Sequence, residues 1–227
     1  MSPVGSLLAG LYNLLPWPDR PRLSDAGLDQ LASTLRVERI GLPTELQSYE
    51  EAGRIEGVRS RLFRYLRGRG LTHLRYHLSI RSNARLCLGG RTHGSAGRYP
   101  GVIEEALFAL RGGMPLYVSG LLGGAALQII EAMEASEMSS DFSPATDAGA
   151  LYSSPPVVEH DLATLSDRQV DRHDVWVAFH GAGVGGLAER NGLSIEENQE
   201  LFTTPILDRI VELVLIGLSR LRASGRL

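Results

Sequence analysis

The stretch that decides the fold is ARLCLGGRTHGSAGRYPGVIEEALFALRGGMPLYVSGLLGGAA, Ala84 to Ala126. Within about forty residues it reads as a hydrophobic strand, a Gly-rich turn, an acidic helix start, a second hydrophobic strand and a second Gly-rich turn. That order is the grammar of a βαβ nucleotide-binding unit. Arg85 to Leu88 is a short buried strand. Pro100 falls at the first helical turn, where its missing N–H has no partner to lose. The spacing of Val102, Ile103, Ala106, Leu107 and Leu110 predicts a helix over Pro100 to Arg111. Gly112-Gly113 ends it. Leu116 to Ser119 is the next strand, and Gly123-Gly124 opens a third helix over Ala125 to Ala135.

The loop between the first strand and its helix carries most of the chemistry. Glycines 89, 90, 94, 97 and 101 let the backbone approach a ligand closely. Backbone N–H groups and the positive end of the following helix make an anion site. Arg91 and Arg98 add guanidinium groups that can fork onto phosphates, and Thr92, His93 and Ser95 add hydrogen bonds. The spacing is not GxGxxG, so the standard dinucleotide fingerprint is absent. Glu104 and Glu105 have two readings. Acids near a helix start complement the dipole, and a carboxylate facing a bound ribose could hold its hydroxyls or assist cleavage at an anomeric carbon. Neighbouring helical residues point apart, so one of the pair faces the loop. The second loop contributes Gly120, Gly123 and Gly124. Both loops follow strands, and ligands in open α/β sheets lie at the strands' carboxyl ends, so the two loops converge there.

Working outward, Ser6 to Leu15 has a Leu-rich face and reads as a short helix, followed by the rigid connector PWPDRPR. Ser24 or Asp25 caps a helix over Gly27 to Leu35, and Arg36 to Leu42 alternates as a strand. Glu50 to Arg59 is polar, with glycines weakening a helix. Arg61 to Ser79 reads as two helical pieces broken at Arg67-Gly68-Arg69-Gly70, the second beginning at Thr72. Ser139 to Pro156 has a loop's composition. Leu162 to Gln169 and Val175 to His180 read as helix, and GAGVGG (Gly181 to Gly186) as a turn or interhelical contact. Asn191-Gly192 stops a helix. Ser194 with Glu197 is a capping box, and Thr204-Pro205 starts the last helix along Ile206, Ile210, Leu213, Val214, Gly217 and Leu218. The expected domains are 1–135, a nucleotide-binding unit; 136–158, a flexible loop; and 159–227, helices packing on the same unit.

Composition narrows the classes. The 227 residues carry a net charge of −3, so no basic field recommends nucleic acid or an anionic membrane surface. Every one of the 23 basic residues is Arg, which leaves no lysine for Schiff-base chemistry or a P-loop. No run of about twenty apolar residues occurs, so no membrane span is expected. Cys87 is the only cysteine; it sits in an apolar run as an inert buried thiol, and the absence of disulfides suits the cytoplasm. His73 and His77 stand four apart, but no third ligand joins them, so no metal is expected. His160, His173 and His180 show no ligand spacing.

From Leu71 to Ala126 the chain resembles the SLOG superfamily, the Rossmann-like group related to DprA and LOG proteins, in members associated with TIR domains and nucleotide-signal defence. Leu71, Thr72 and Arg75 match an LTxMR helix. Gly89, Gly90, Arg91, Gly94, Gly97, Arg98, Pro100, Gly101, Glu104 and Glu105 match the ARxxLGGR, Gly-loop and EEA elements. Leu116, Tyr117, Gly120, Gly123 and Gly124 match a PLYxxGGFGG strand and loop, with Leu121 and Leu122 departing from it. NGLSIEENQEL and the final helix resemble the tail of such proteins. The resemblance implies an α/β fold: a Rossmann-like three-layer sandwich with a mainly parallel sheet and C-terminal helices, here lacking the first βα unit. It implies a sensor or regulatory module for an ADP-ribose-like or NAD-related nucleotide that needs no other cofactor, with a TIR-type or other effector as partner; an incomplete sheet leaves an edge or apolar face to cover, so a homo-oligomer is also expected. The site it implies is Gly89, Gly90, Arg91, Thr92, Gly94, Ser95, Gly97, Arg98, Pro100, Gly101, Glu105, Gly120, Gly123 and Gly124. LOG relatives instead hydrolyse nucleotide N-glycosidic bonds through PGGxGTxxE. Here PGVIEE lacks the GT, and Glu104 or Glu105 would be the catalytic acid.

Overall fold

A computed structural model describes residues 11–19, 24–30, 32, 34–93, 96–97, 99–139 and 172–227. The N-terminal part builds β1 (Leu11–Pro16), α1 (Asp25–Gln30) and β2 (Leu35–Ile40), then a 3₁₀ turn (Thr44–Tyr49) and α2 (Glu50–Glu56). The long helix α3 (Arg61–Arg81) leads to β3 (Arg85–Leu88), α4 (Gly101–Arg111), β4 (Leu116–Ser119) and α5 (Gly124–Glu134). The described C-terminal part is helical: α6 (Arg172–Asn191), α7 (Ile195–Thr203) and α8 (Leu207–Ala223). All described strand pairs are parallel, β1 with β2 and β3 with β4. The molecule is α/β and Rossmann-like.

β4 shows how the layers form. Every one of its residues is buried. Leu116 and Val118 enter a core with Ile103, Leu107, Ile129 and Phe179, supplied by α4, α5 and α6. Tyr117 points the other way, into a core with Leu193, Leu201, Ile210 and Leu213 around α7 and α8. A parallel strand needs cover on both faces, and the alternation of side chains delivers it. Asn191, fully buried, locks the C-terminal helices to this strand. Its amide donates to Leu116 O (2.9 Å) and to Asn198 Oδ1 (2.7 Å), and its carbonyl accepts from the Tyr117 hydroxyl (2.6 Å). The expected capping box forms, Ser194 Oγ accepting from Glu197 N at 3.1 Å.

A second core gathers Trp17, Leu42, Leu46, Leu62, Phe63, Tyr65 and Leu66 beneath the N-terminal elements. Here three expectations are corrected. Leu11–Pro16, placed within a helix by its leucines, is a strand in register with Leu35–Ile40. A short apolar run has no period strong enough to choose, and pairing with β2 chooses for it. The N-terminal part therefore supplies a β–α–β unit where the sequence reading placed two helices and one strand. The second correction is α3, which runs unbroken through Gly68 and Gly70. Gly70 serves close packing: a Cβ there would stand 3.1 Å from Trp17 O. Third, GAGVGG is not a turn but lies inside α6, interrupted at Gly183, whose φ of 52° and ψ of −172° leave the helical region; its interhelical reading agrees with the structure, since Ala182 and Val184 pack on the core that holds Ile129 and Met133 of α5.

Smaller differences sit at helix ends. Pro100 is the residue before α4 rather than its first turn, and α8 begins at Leu207, so Ile206 faces outward. Residues 140–171, which hold most of the Ser139–Pro156 loop and the helix read over Leu162–Gln169, fall outside the described residues. No described helix is long and apolar enough to cross a membrane.

Candidate functional site

The site grows from two strand ends. After β3 the chain turns at Gly89 and Gly90, and after β4 at Gly123 and Gly124, and the two turns meet backbone to backbone. Ala125 N donates to Gly90 O (3.1 Å) and Ala126 N to Gly89 O (2.8 Å). The approach is so close that a Cβ on Gly124, whose φ is 63°, would lie 2.2 Å from Gly90 O. A Cβ on Gly90 (φ 96°) would lie 2.6 Å from Val102 Cγ2 on α4. Only glycine fits at either position. These bonds also occupy the first N–H groups of α5. The helix terminus left to face the loop is that of α4, whose first turn carries donors without intrahelical partners. Gly120 has a structural neighbour instead: its N–H donates to Phe202 O at 3.1 Å, and a Cβ would stand 2.4 Å from that oxygen.

Beneath the far end of the first loop lies a charged network. Arg75, on α3, presses its guanidinium against Gly97 and Gly101, where added Cβ atoms would lie 2.9 Å and 2.7 Å from its terminal nitrogens. Arg75 Nη1 donates to Glu104 Oε2 in a tight contact, and Thr72 Oγ1 donates to Glu104 Oε1 at 2.7 Å. Glu104 is only 5% exposed, so both oxygens of a buried carboxylate are held. Glu105 points along another direction. It accepts from Arg85 Nη1 at 3.1 Å and lies 3.8 Å from Arg75 Nε. Two arginines face two glutamates, so the network is formally neutral and braces the loop rather than attracting an anion. Attraction falls to the loop itself, where Arg91 is exposed and Thr92 Oγ1 sits 2.8 Å from His93 Nδ1.

The structure thus brings Gly89, Gly90, Gly123 and Gly124 together, joins Gly97 and Gly101 to Glu104 through Arg75, and ties Pro100 O to Glu104 N at 3.1 Å. Gly94, Ser95 and Arg98 fall outside the described residues. Of the acidic pair, Glu104 is the one beneath the loop and Glu105 the more accessible. Sequence reasoning took Thr72 and Arg75 only as motif matches and Arg85 only as a strand start. Their roles were signalled nonetheless. Thr72 and Arg75 share a helix face at i, i+3, and an arginine opening a four-residue apolar strand needs a carboxylate nearby.

Other candidates stay apart from this site. Cys87 is 2% exposed, and burial pushes its thiol up to about 12. His73 and His77 stack edge to face with their Nε2 atoms 3.1 Å apart, and His73 Nδ1 lies 3.1 Å from Gly41 O. Burial lowers the pKa of His77, helped by His73 and Arg81. Among the described residues no group of three or more potential metal ligands exists.

The family model described as SLOG cluster2 matches residues 5–201. No curated protein and no solved structure matches the chain.

Proposed function

The chain belongs to the SLOG cluster2 family, whose membership suggests nucleotide-related function, and from that premise we propose that it binds a nucleotide-derived ligand of the ADP-ribose or NAD type as a sensor or regulatory module. The observation that carries this reading is the meeting of two glycine turns at the carboxyl ends of β3 and β4, beside the start of α4. The junction sets the strand ends beside the first turn of α4, whose unpaired backbone N–H groups and positive end can receive a pyrophosphate. Arg91 and Thr92 are the described cation and hydroxyl of the loop, and the sequence adds Arg98 and Ser95 to the proposed set. Glu105, the more open carboxylate, is the partner for ribose hydroxyls. Glu104 already has both oxygens engaged, which favours holding over cutting. In this reading the protein works in the cytoplasm, in defence or stress signalling, and passes ligand occupancy to a TIR-type or other effector.

The test is calorimetric titration with ADP-ribose, NAD and AMP, with chromatography of each mixture after incubation. Saturable binding, a melting temperature that rises with ligand through mass action, and unchanged nucleotide support the sensor. Release of free base or nicotinamide, abolished by Glu105→Gln, would replace it with a nucleotide N-glycosidase. Silence across the panel would sink both. Arg91→Ala should weaken binding about tenfold, the loss of one charge-assisted phosphate contact.

A further inference from the structure

Helix α8 has a second face that stays exposed among the described residues. Ile210, Leu213, Gly217 and Leu221 turn inward and are buried. On the opposite side Leu207 (59% exposed), Val211 (49%) and Leu215 (59%) form a line at i, i+4 and i+8. At 100° per residue Leu215 lies directly opposite the buried side. Beside this line a shallow concavity is bordered by Asp208, Glu212, Ser219 and Arg220.

The charges along this face are ordered. Asp208 and Glu212 occupy the first half of the helix; Arg220 and Arg222 occupy its last turn. Arg220 is already held by Glu197 at 3.0 Å. Asp208, Leu215 and Arg222 are seven residues apart, so they stand nearly in line, two turns on either side of Leu215.

We propose that this face pairs with the same face of a second copy of the chain, in antiparallel orientation, about a two-fold axis beside Leu215. That axis packs Leu215 on its own copy and Val211 near the partner's second half. It sets Asp208 of each copy against Arg222 of the other. A C2 contact requires self-complementarity of this kind. A parallel pair would stack Asp208 on its own copy, which like-charge repulsion opposes, while Glu212 is already held by Arg209 at 2.8 Å. Antiparallel helix dipoles favour the same choice. The inference rests on α8 alone and stands or falls independently of the nucleotide reading.

Sedimentation velocity across roughly 1–100 µM, the range a modest helix–helix interface would populate, gives the test. The wild type should pass from one chain to two. Leu215→Arg should remain a single chain throughout, with unchanged circular dichroism and, at concentrations where the wild type is also a single chain, an unchanged melting temperature, because the side chain already faces water. Asp208→Arg and Arg222→Asp should each weaken dimerisation about tenfold, and the double variant should recover most of the loss. Within one helix these residues are about 21 Å apart, so recovery can arise only between antiparallel copies. A wild type that stays monomeric over the range overturns the proposal, as it would if a different segment or protein covered this face. So does a dimer that survives Leu215→Arg, or a double variant no better than the singles.

Discussion

Replacing Arg75 by Met keeps most of the side chain's length and deletes its charge, and so tests whether the network beneath the loop is structural. Arg75 and Glu104 side chains are 12% and 7% exposed, so water screens them little. At an effective dielectric near 20, unit charges about 4 Å apart attract by about 4 kcal/mol. Removing one partner of a buried pair costs about 3–5 kcal/mol, most of it the burden of the charge left behind. Thr72 still donates to Glu104, and Arg85 still donates to Glu105. The lower end therefore applies, about 3 kcal/mol. With a urea dependence of about 2.5 kcal/mol per molar, the unfolding midpoint should fall by about 1.2 M. Adding Glu104→Gln removes the stranded charge, keeps an acceptor for Thr72, and should recover about half the loss. The four midpoints, wild type, two singles and the double, form a double-mutant cycle. A drop below about 0.3 M for Arg75→Met, or a double variant less stable than Arg75→Met alone, would refute the reasoning.

Gly124→Ala should cost about 2–3 kcal/mol, because its Cβ would lie 2.2 Å from Gly90 O at a φ of 63°; denaturant melts check it, and a neutral result would mean the two turns are not in contact. Cys87 should resist a thiol-reactive dye at pH 8 in the folded protein and react at once in urea, since a thiol pushed up to about 12 is only about one part in ten thousand thiolate at that pH. Tyr117 is pushed up to about 12 by burial, so its phenolate absorbance, read as the difference between the protein and Tyr117→Phe, should appear only as pH approaches 12. Its folded value exceeds its unfolded value of about 10, so its contribution to stability is complete below pH 10 and disappears as pH rises towards 12. Asn191→Ala should lower stability by about 2–3 kcal/mol, because it strands Leu116 O and Asn198 Oδ1 inside the protein.

The legible part of the chain was the part whose local signals agree with the fold. From Arg85 to Glu134 the strands, both glycine turns and both helices lie where their patterns place them, to within a residue or two. There propensity, period and turn chemistry point the same way. The N-terminal part was harder because its cues conflict. The leucines of Leu11–Pro16 suit a helix as well as a strand, and only pairing with β2, more than twenty residues away, decides between them. Gly68 and Gly70 read as breakers, yet Gly70 is needed where α3 approaches Trp17 O. A glycine at a tight contact and a glycine at a break look the same in one dimension. At the site, the glycine turns were readable because their function is a backbone property, whereas Arg75 and Arg85 depend on partners about thirty and twenty positions away.

That division bears on how the site could signal. The upper half of the cradle is stitched by backbone bonds between Gly89-Gly90 and Ala125-Ala126, and such contacts are either made or broken. The lower half depends on side chains: Arg75 supports Gly97 and Gly101 from below and is held there by Glu104, itself tied to Thr72. An anion drawn to the loop would compete with Glu104 for the Arg75 guanidinium across a backbone only as thick as two glycines. The element that then answers is α3, since Thr72 and Arg75 belong to it. α3 also packs Gly70 against Trp17 and so reaches the N-terminal core. In the proposed binding mode, ligand charge at the loop would be coupled to the packing of the N-terminal β–α–β unit through α3. Arg75→Met should sever that coupling: ligand-induced protection of the β1 and β2 amides from hydrogen exchange should vanish while protection at Gly89 and Gly90 persists.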